Sequence, residues 1–195
     1  MLIAGVDEVG RGCLAGPVIA AAVILDPQRP ISGLADSKTL TPKRRKVLSN
    51  RIKTQALAWA VGRTEASEID QINILQASLL AMSRAYVKLE PRPQWVNVDG
   101  PNYPPIPCQG EAIIHGDSLI PEISAASILA KEYRDGEMVV IDALFPGYYF
   151  AKHKGYPTKF HLSMLQRSGI CPLHRKSFKP VKLWIDASTQ IDPRR

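Results

Sequence analysis

The sequence predicts an α/β fold, in which helices flank a mixed β-sheet and a helical extension follows at the C-terminus. Two short apolar runs near the N-terminus are bounded by glycine and proline, which is typical of buried strands joined by a glycine-rich loop. Further along the chain, runs of strand length alternate with segments of helical periodicity. This alternation ends after Phe145 at a Pro-Gly-Tyr-Tyr break. We therefore expect a first domain over residues 1–145 and a helical extension over residues 146–195, packed together as one compact unit.

Five strands are indicated by short runs rich in valine, isoleucine, leucine and alanine. The first two cover Leu2–Val6 and Val18–Leu25. In residues 57–61 large and small apolar side chains alternate, which is typical of a half-buried strand. The remaining two are Trp95–Val98 and Ala112–Ile114.

The first helix is predicted over residues 43–54, because Thr41-Pro42 provides a favoured N-cap and a favoured first helical residue. Val47, Leu48 and Ile52 mark its inner face. The lysines and arginines on its outer face, between Lys43 and Lys53, indicate either a solvated surface or a surface that contacts a nucleic-acid duplex.

Helical periodicity recurs over residues 69–89, where Asn73 can cap the main part of the helix, and a long helix is expected from Pro121. In the extension, residues 150–157 predict a loop. Thr158 is expected to cap a short helix that ends at Ser168, and residues 180–187 indicate a last short helix before a frayed tail.

The chain of 195 residues is basic, with 25 lysines and arginines against 18 aspartates and glutamates, a net charge of +7 and an isoelectric point near 9.4. This excess favours a polyanionic partner such as nucleic acid, although a solvated basic surface has the same composition. Three widely spaced cysteines without a Cys-x-x-Cys pair indicate reduced thiols in a cytoplasmic protein. The longest apolar run is far shorter than the roughly 20 residues of a membrane helix, so we expect neither a signal peptide nor membrane association.

Four acidic residues follow predicted strands: Asp7 and Glu8 after the first, Asp99 after a central one and Asp117 after the next. Strand ends of an open α/β sheet form sites, and converging carboxylates suit Mg²⁺ or Mn²⁺. Two arguments oppose a shared site: neighbouring residues of a regular strand point to opposite faces, and aspartate before glycine is commonly a turn former. The joint placement favours metal binding, because clustered carboxylates repel one another unless a cation neutralises them.

Several motifs make the chain resemble ribonuclease HII, the type 2 ribonuclease H family. The first is V-D-E-V-G-R-G at residues 6–12, followed by A-G-P at 15–17. The others are D-S-K-T-L at 36–40, I-N-I-L-Q-A at 72–77, V-D-G at 98–100, G-D-S at 116–118, I-S-A-A-S-I-L-A-K at 123–131, H-K-G-Y-P-T at 153–158 and H-R-K-S-F at 174–178. They follow the family's order and cover nearly the whole chain.

The resemblance implies a ribonuclease H-like catalytic domain with a helical C-terminal extension. It also implies an endonuclease that cuts the RNA strand of RNA/DNA hybrids and incises 5′ of single ribonucleotides in duplex DNA, leaving 5′-phosphate and 3′-hydroxyl ends. Asp7, Glu8, Asp99 and Asp117 fall on the family's four catalytic carboxylates, which bind two ions of Mg²⁺ or Mn²⁺ for phosphodiester hydrolysis.

The resemblance also implies a set of nucleic-acid-binding residues. Gly10, Arg11 and Gly12 fall on the loop that senses the ribose 2′-hydroxyl. Tyr156 falls on a tyrosine that contacts the sugar after the ribonucleotide, and Lys38 lies in a phosphate-contacting segment. The implied partners are RNA/DNA hybrid and ribonucleotide-containing duplex DNA, which we expect a monomer to bind.

Two alternatives stay open from the residues themselves. A nucleic-acid-binding module without catalysis needs the basic surface but not four converging acids. Another metal-dependent nuclease of the same fold, such as a junction resolvase, would share the carboxylates but not the 2′-hydroxyl loop. Outside the predicted site, we interpret the histidines as loop, cap or phosphate-neighbouring residues, the tryptophans as core, and the serines and alanines of residues 124–130 as packing residues.

Overall fold

The computed structural model describes residues 1–191, which form a five-stranded mixed sheet flanked by helices, as the sequence predicts. The strands are β1 (Ile3–Val9), β2 (Val18–Ile24), β3 (Ala58–Thr64), β4 (Trp95–Asp99) and β5 (Gly110–Ile113). The helices are α1 (Pro42–Gln55), α2 (Ala66–Tyr86), α3 (Gly116–Leu119), α4 (Pro121–Leu144), α5 (Phe150–His153), α6 (Lys159–Ser168) and α7 (Lys179–Ile191). The tail at 193–195, which was expected to fray, lies outside the described residues.

The sheet order β3-β2-β1-β4-β5 places β1 at the centre. β1 and β3 pair antiparallel with β2, whereas β4 lies parallel to both β1 and β5. Val6 on β1 is the register partner of Val98 on β4, so the carboxyl ends of the two strands lie side by side. This is the edge at which an open α/β sheet forms its sites.

The sheet is covered on both faces, by α2 on one side and by α4 with α1 on the other. Ala20 and Ala22 of β2 pack beneath α2, while Ile19, Ala21 and Val23 pack beneath α4. Burial on both faces explains why this strand is a continuous apolar run in the sequence.

α4 begins in close contact with β1 at Gly5. A Cβ atom at this position would overlap the backbone of Glu122 and Ile123 in the first turn of α4. The absence of a side chain therefore lets the helix start directly against the central strand.

β3 alternates as predicted, but the opposite set of residues faces the core. Ala58 and Ala60 are buried, whereas the side chain of Trp59 is 39% exposed. α2 packs so tightly on this face that a Cβ atom at Gly62 would overlap the backbone of Ala81. Only small residues fit there, so the prediction that Trp59 belongs to the core was wrong.

The inner face of α1 is also shifted from the prediction. Leu48 and Ile52 are buried as expected, but Val47 is 51% exposed and Arg45 lies in the interior instead. Residues 45, 48 and 52 follow the helical spacing of one stripe, which Val47 leaves. The Arg45 guanidinium is tolerated because its Nε lies 2.7 Å from the Glu132 carboxylate on α4.

The predicted caps are confirmed. Thr41 and Thr158 each accept a hydrogen bond from the backbone N–H three residues later, at 3.3 and 3.1 Å. Asn73 has a φ of 66°, interrupts α2, and accepts from the N–H groups two and three residues later at 3.0 and 3.1 Å. The main part of α2 therefore begins where the sequence indicated.

The extension contains more helix than predicted, since residues 150–153 form the short α5 inside the expected loop and α7 runs to residue 191. Within the described residues, none of the helices combines the length and the hydropathy that a membrane span requires.

Candidate active site

Three aspartates meet at the carboxyl ends of β1 and β4. Asp7 on β1 and Asp99 on β4 each follow one of the paired residues Val6 and Val98, and Asp117 reaches them from α3. One carboxylate oxygen from each aspartate lies within 4.8 Å of the others. We call these three residues the carboxylate cluster.

Glu8 lies beside this cluster rather than within it. β1 extends to Val9, beyond the predicted end, so Asp7 and Glu8 are both inside a regular strand and point to opposite faces. Glu8 Oε1 accepts a hydrogen bond from Arg11 Nη1 at 3.1 Å. Its Oε2 is buried and has no hydrogen-bond partner among the described residues. An acceptor that is buried without a donor is costly, which makes this oxygen a candidate ligand for a cation.

The electrostatics of the site disfavour negative charge. Burial raises the pKa of Asp7 well above its usual value, and repulsion from Glu8 and Asp99 raises it further. Burial also raises the pKa of Glu8, although the ion pair with Arg11 acts in the opposite direction. The pKa of Asp117 is raised by burial and then by the charges of Asp99 and Asp36.

These residues fit a divalent metal. All the available donors are carboxylate oxygens, the ligands that Mg²⁺ and Mn²⁺ prefer, and no thiolate or imidazole belongs to the cluster. A cation would relieve the mutual repulsion of the three aspartates. The buried Glu8 Oε2 is a further carboxylate acceptor beside them.

Lys38, which the resemblance places in a phosphate-contacting segment, lies at the rim of the carboxylate cluster. Its side chain is 80% exposed, and its Nζ is 3.9 Å from Asp117 Oδ2. Asp36 holds the backbone at this point, since its Oδ1 accepts the Lys38 N–H at 2.9 Å. Sequence reasoning missed Asp36 as a site neighbour, although an aspartate two residues before a site lysine is a recognisable turn signal.

Two serines of α4, which were predicted to be packing residues, also support the aspartates of the site. The Ser124 hydroxyl donates to the Asp117 backbone carbonyl at 2.6 Å. The Ser127 hydroxyl lies 2.9 Å from that of Ser37 and acts to lower the pKa of Asp7. The small size of these serines suggested packing, but Ser124 holds the backbone of Asp117 and Ser127 acts on the Asp7 carboxylate.

The loop after β1 places its tip in solvent. Gly10 accepts a backbone hydrogen bond from Cys13 at 3.4 Å, which closes a tight turn around Arg11 and Gly12. Arg11 and Gly12 are exposed, whereas Gly10 and residues 13–17 are buried. The turn needs glycine at position 10, where φ is 95°.

Tyr156 lies in a second loop that is joined to this turn. The Leu14 N–H donates to the Gly155 carbonyl at 2.8 Å, so the loops that carry the two sets of predicted recognition residues are in direct contact. The Tyr156 ring is half-buried, with Lys131 Nζ 5.4 Å from its centroid. Burial, followed by the neighbouring Cys13 thiol, raises the pKa of its hydroxyl.

The interpretation of the histidines as loop, cap or phosphate-neighbouring residues did not anticipate that three of the four are buried together. His153, His161 and His174 are buried and form what we call the histidine cluster, whereas His115 is exposed. The rings of His153 and His161 stack at 4.0 Å. This arrangement could not be read from spacing, because it brings together three separate segments of the extension.

Hydrogen bonds assign the protons of this cluster. His161 Nδ1 lies 3.0 Å from the Tyr156 carbonyl and must therefore donate. His161 Nε2 then accepts from His174 Nε2 at 3.3 Å, and His174 Nδ1 accepts the Cys171 N–H at 3.0 Å. Burial, together with the neighbouring histidine, lowers the pKa of both His161 and His174 to about 4, so both rings are neutral at physiological pH.

The ribonuclease HII family model matches residues 4–181 of the chain. The chain belongs to the ribonuclease HII family. A curated relative, Ribonuclease HII from Methylococcus capsulatus, is 59% identical over 188 residues, covering 96% of this chain and 97% of the relative. Membership makes the protein a ribonuclease H, a hydrolase of a metal-dependent family.

Solved structures of ribonucleases H share the fold. The ribonuclease H2 of Pyrococcus horikoshii is 25% identical with a TM-score of 0.78, covering 96% of this chain and 98% of its own. The ribonuclease HII of Archaeoglobus fulgidus, solved in a complex with PCNA, is 25% identical with a TM-score of 0.73, covering 92% and 96%. The mixed sheet and the helical C-terminal region are therefore those of ribonuclease HII.

Proposed function

We propose that this ribonuclease HII cleaves the RNA strand of RNA/DNA hybrids and incises 5′ of single ribonucleotides in duplex DNA. The products are a 5′-phosphate and a 3′-hydroxyl. The carboxylate cluster, with its oxygens within 4.8 Å, carries this proposal because one of its members, Asp7, lies on β1, the strand that leads into the exposed Arg11-Gly12 turn. A proposed hydrolytic residue, Asp7, and the proposed ribose-binding turn are thus separated by only a few residues of the chain.

Asp7, Glu8, Asp99 and Asp117 would hold two divalent ions, Mg²⁺ or Mn²⁺. When bound, the ions supply Lewis-acid activation of water and neutralise the charge of the leaving oxygen. The chain's own groups orient these ligands: Arg11 holds one oxygen of Glu8, and the Asp117 N–H donates to Asp99 Oδ1 at 3.2 Å.

The remaining residues would position the nucleic acid. The Gly10-Arg11-Gly12 turn would contact the ribose 2′-hydroxyl, since glycine leaves room for the backbone to approach the sugar. Tyr156 would contact the next sugar, and Lys38 would contact a phosphate. The contact between Leu14 and Gly155 supports a single recognition surface built from both loops.

A cleavage assay tests the proposal. The substrates are a DNA duplex with one ribonucleotide, a continuous RNA/DNA hybrid and an all-DNA four-way junction, each incubated with Mg²⁺, Mn²⁺ or EDTA. We expect incision 5′ of the ribonucleotide with either metal and none in EDTA. Cleavage of the all-DNA junction without preference for a ribonucleotide would instead favour a resolvase, and metal-independent binding without cleavage would favour a binding module.

Tyr156→Ala tests the recognition role of the second loop. Cleavage at a single embedded ribonucleotide should slow by more than cleavage of a continuous hybrid, because only the former has a DNA sugar next to the ribose. Tyr156→Phe serves as the control, since it keeps the ring and its contact with Lys131. Equal losses on both substrates would count against this role.

A further inference from the structure

Arg134 and Arg175 are both fully buried, at 0% exposure. Within the described residues neither forms an ion pair with a carboxylate. A buried charge without a counter-charge is unfavourable unless its donors are satisfied. Burial lowers the pKa of Arg175 to about 10, which still leaves the guanidinium charged at neutral pH. Each arginine must therefore find its acceptors among neutral groups.

The acceptors of Arg175 are backbone carbonyls of the loop between β1 and β2. Its Nε and Nη2 donate to the Gly16 carbonyl at 3.1 and 2.9 Å, and its Nη1 donates to the Arg11 carbonyl at 2.9 Å. Its own backbone N–H donates to the Leu14 carbonyl at 2.8 Å. One residue of the extension thus donates hydrogen bonds to three carbonyls of the loop that carries Arg11 and Gly12.

Arg134 holds the same loop at other points. It donates to the carbonyls of Ala15 and Pro17 at 3.1 and 3.0 Å, and to that of Lys154 at 2.8 Å. A Cβ atom on Gly16 or Gly155 would lie 3.4 Å from its Nη2. Arg134 also packs against Gly10, where a Cβ atom would overlap its Nε, so it supports the base and the start of the turn. Of the two arginines, Arg175 is the one that donates a hydrogen bond to the Arg11 carbonyl.

The bond to the Arg11 carbonyl fixes the orientation of one peptide group. In a trans peptide the C=O and the following N–H point in opposite directions. Because the Arg11 carbonyl points inward to Arg175, the Gly12 N–H points away from it, toward solvent. Gly12 is exposed, and nothing lies within 4 Å of a Cβ atom built on it.

We propose that Arg175 is a positioning residue for ribose recognition, because it fixes the Arg11–Gly12 peptide with the Gly12 N–H facing the substrate. This inference rests on the proposed function, in which the turn contacts the 2′-hydroxyl. Arg175 itself does not touch the substrate. Its effect should be confined to the step in which the protein distinguishes a ribonucleotide from a deoxyribonucleotide.

Arg175→Lys tests the inference, because lysine keeps the charge but loses the fork that holds two carbonyls at once. Affinities are measured in EDTA for two duplexes that differ only in one 2′-hydroxyl. The preference of the wild type for the ribonucleotide duplex should fall toward one in the variant. With metal added, kcat/KM at the ribonucleotide should fall about tenfold, the ratio that corresponds to one hydrogen bond.

Leu89→Ala is the matched control, because Leu89 is equally buried but lies in the core beneath α2, away from the turn. It should destabilise the protein without changing the preference ratio. If the wild type shows no preference, the proposed function fails. If the wild type shows a preference that Arg175→Lys retains in full, the inference about Arg175 fails and the proposed function stands.

A measurement on the wild type covers the case in which Arg175→Lys does not fold. Hydrogen exchange of the Gly12 amide, followed by NMR, should be fast in the free protein. It should slow with the ribonucleotide duplex in EDTA and not with the all-DNA duplex. A Gly12 amide already protected in the free protein would overturn the inference.

Discussion

The carboxylate cluster and the histidine cluster are both buried groups of ionisable side chains, yet only one of them is complete by itself. In each cluster, burial favours the uncharged form of the side chains. It therefore raises the pKa of Asp7 and lowers the pKa of His161. Neutral histidines can donate with one ring nitrogen and accept with the other, so the histidine cluster satisfies its own hydrogen bonds.

Ionised carboxylates can only accept hydrogen bonds, and three of them in contact cannot satisfy one another. The carboxylate cluster therefore needs something from outside, either protons or a cation. This difference makes the histidine cluster part of the structure and the carboxylate cluster the candidate site. The two clusters should therefore respond in opposite ways to substitution and to pH, and added metal should affect only the carboxylate cluster.

The largest expected effect is on activity. Asp99→Asn keeps the shape of the side chain but removes the charge of a proposed metal ligand. It should reduce cleavage by more than about a hundredfold, since loss of residues that merely support metal ligands already costs about 10- to 100-fold. Hybrid binding should be largely unchanged, as measured by fluorescence anisotropy in EDTA. Glu111→Gln, at an exposed acid on β5, is the control and should remain active. An active Asp99→Asn enzyme would contradict the role of this residue.

The next effect concerns acid stability. His161 and His174 have folded pKa values of about 4, so the unfolded chain binds more protons than the folded one as pH falls from about 6.5 toward 4. The free energy of unfolding should decrease across that window. His161→Phe should lower stability at pH 7 by about 1–3 kcal/mol, through the lost hydrogen bonds, and should flatten the pH dependence.

The measurement is chemical denaturation at a series of pH values, and His115→Asn is the control because His115 is exposed and outside the histidine cluster. A His161→Phe variant with the slope of the wild type would show that the cluster does not cause the acid sensitivity.

The carboxylate cluster should respond with the opposite sign. A carboxyl whose folded pKa is raised binds more protons in the folded state, so stability falls as pH rises from its ordinary value through the raised one, and the deficit remains at neutral pH. Asp7→Asn should therefore stabilise the metal-free protein by about 1 kcal/mol, or about 2–4 °C in Tm for a chain of this size. Thermal melts in EDTA measure this.

Added Mn²⁺ should raise the Tm of the wild type more than that of Asp7→Asn, because the metal binds the folded state through the ligand that the variant lacks. A metal-free Asp7→Asn protein that is less stable than the wild type would indicate that Asp7 is satisfied within the fold.

The smallest effect is expected at Lys38, the cation that faces the carboxylate cluster. Lys38→Ala should weaken hybrid binding modestly. The slope of log K against log salt concentration should also become shallower by about 1, the change expected for the loss of one phosphate contact. Lys53→Ala, in the last turn of α1, is the comparison. An equal reduction in both variants would mean that Lys38 contributes only general charge.

Much of the fold followed from local signals in the sequence. The capping residues Thr41, Asn73 and Thr158 and the apolar run of β2 marked their elements correctly, because caps and burial act over a few residues. The inward face of β3 did not follow, nor did the exposure of Val47 and the burial of Arg45 on α1. The close approach of α2 at Gly62 and the ion pair of Arg45 with α4 decide those faces, and both depend on elements distant in the sequence.

The site shows the same division. The three aspartates could be expected together from their places after predicted strands, and the structure brings them to one edge of the sheet. The separate direction of Glu8 was foreseen as a difficulty of strand geometry. The supporting hydroxyl of Ser127 and the histidine cluster were not predictable, since their partners come from other segments and no sequence spacing records them.

The contact of Gly5 with the first turn of α4 makes the geometry of the site depend on a residue that has no functional group. Any larger residue at position 5 would push α4 outward and carry the Ser127 hydroxyl away from Asp7. In a kinetic assay, the loss of activity of a Gly5→Ala variant would therefore resemble the loss of a catalytic residue. Its cause would instead be one added methyl group that separates β1 from α4.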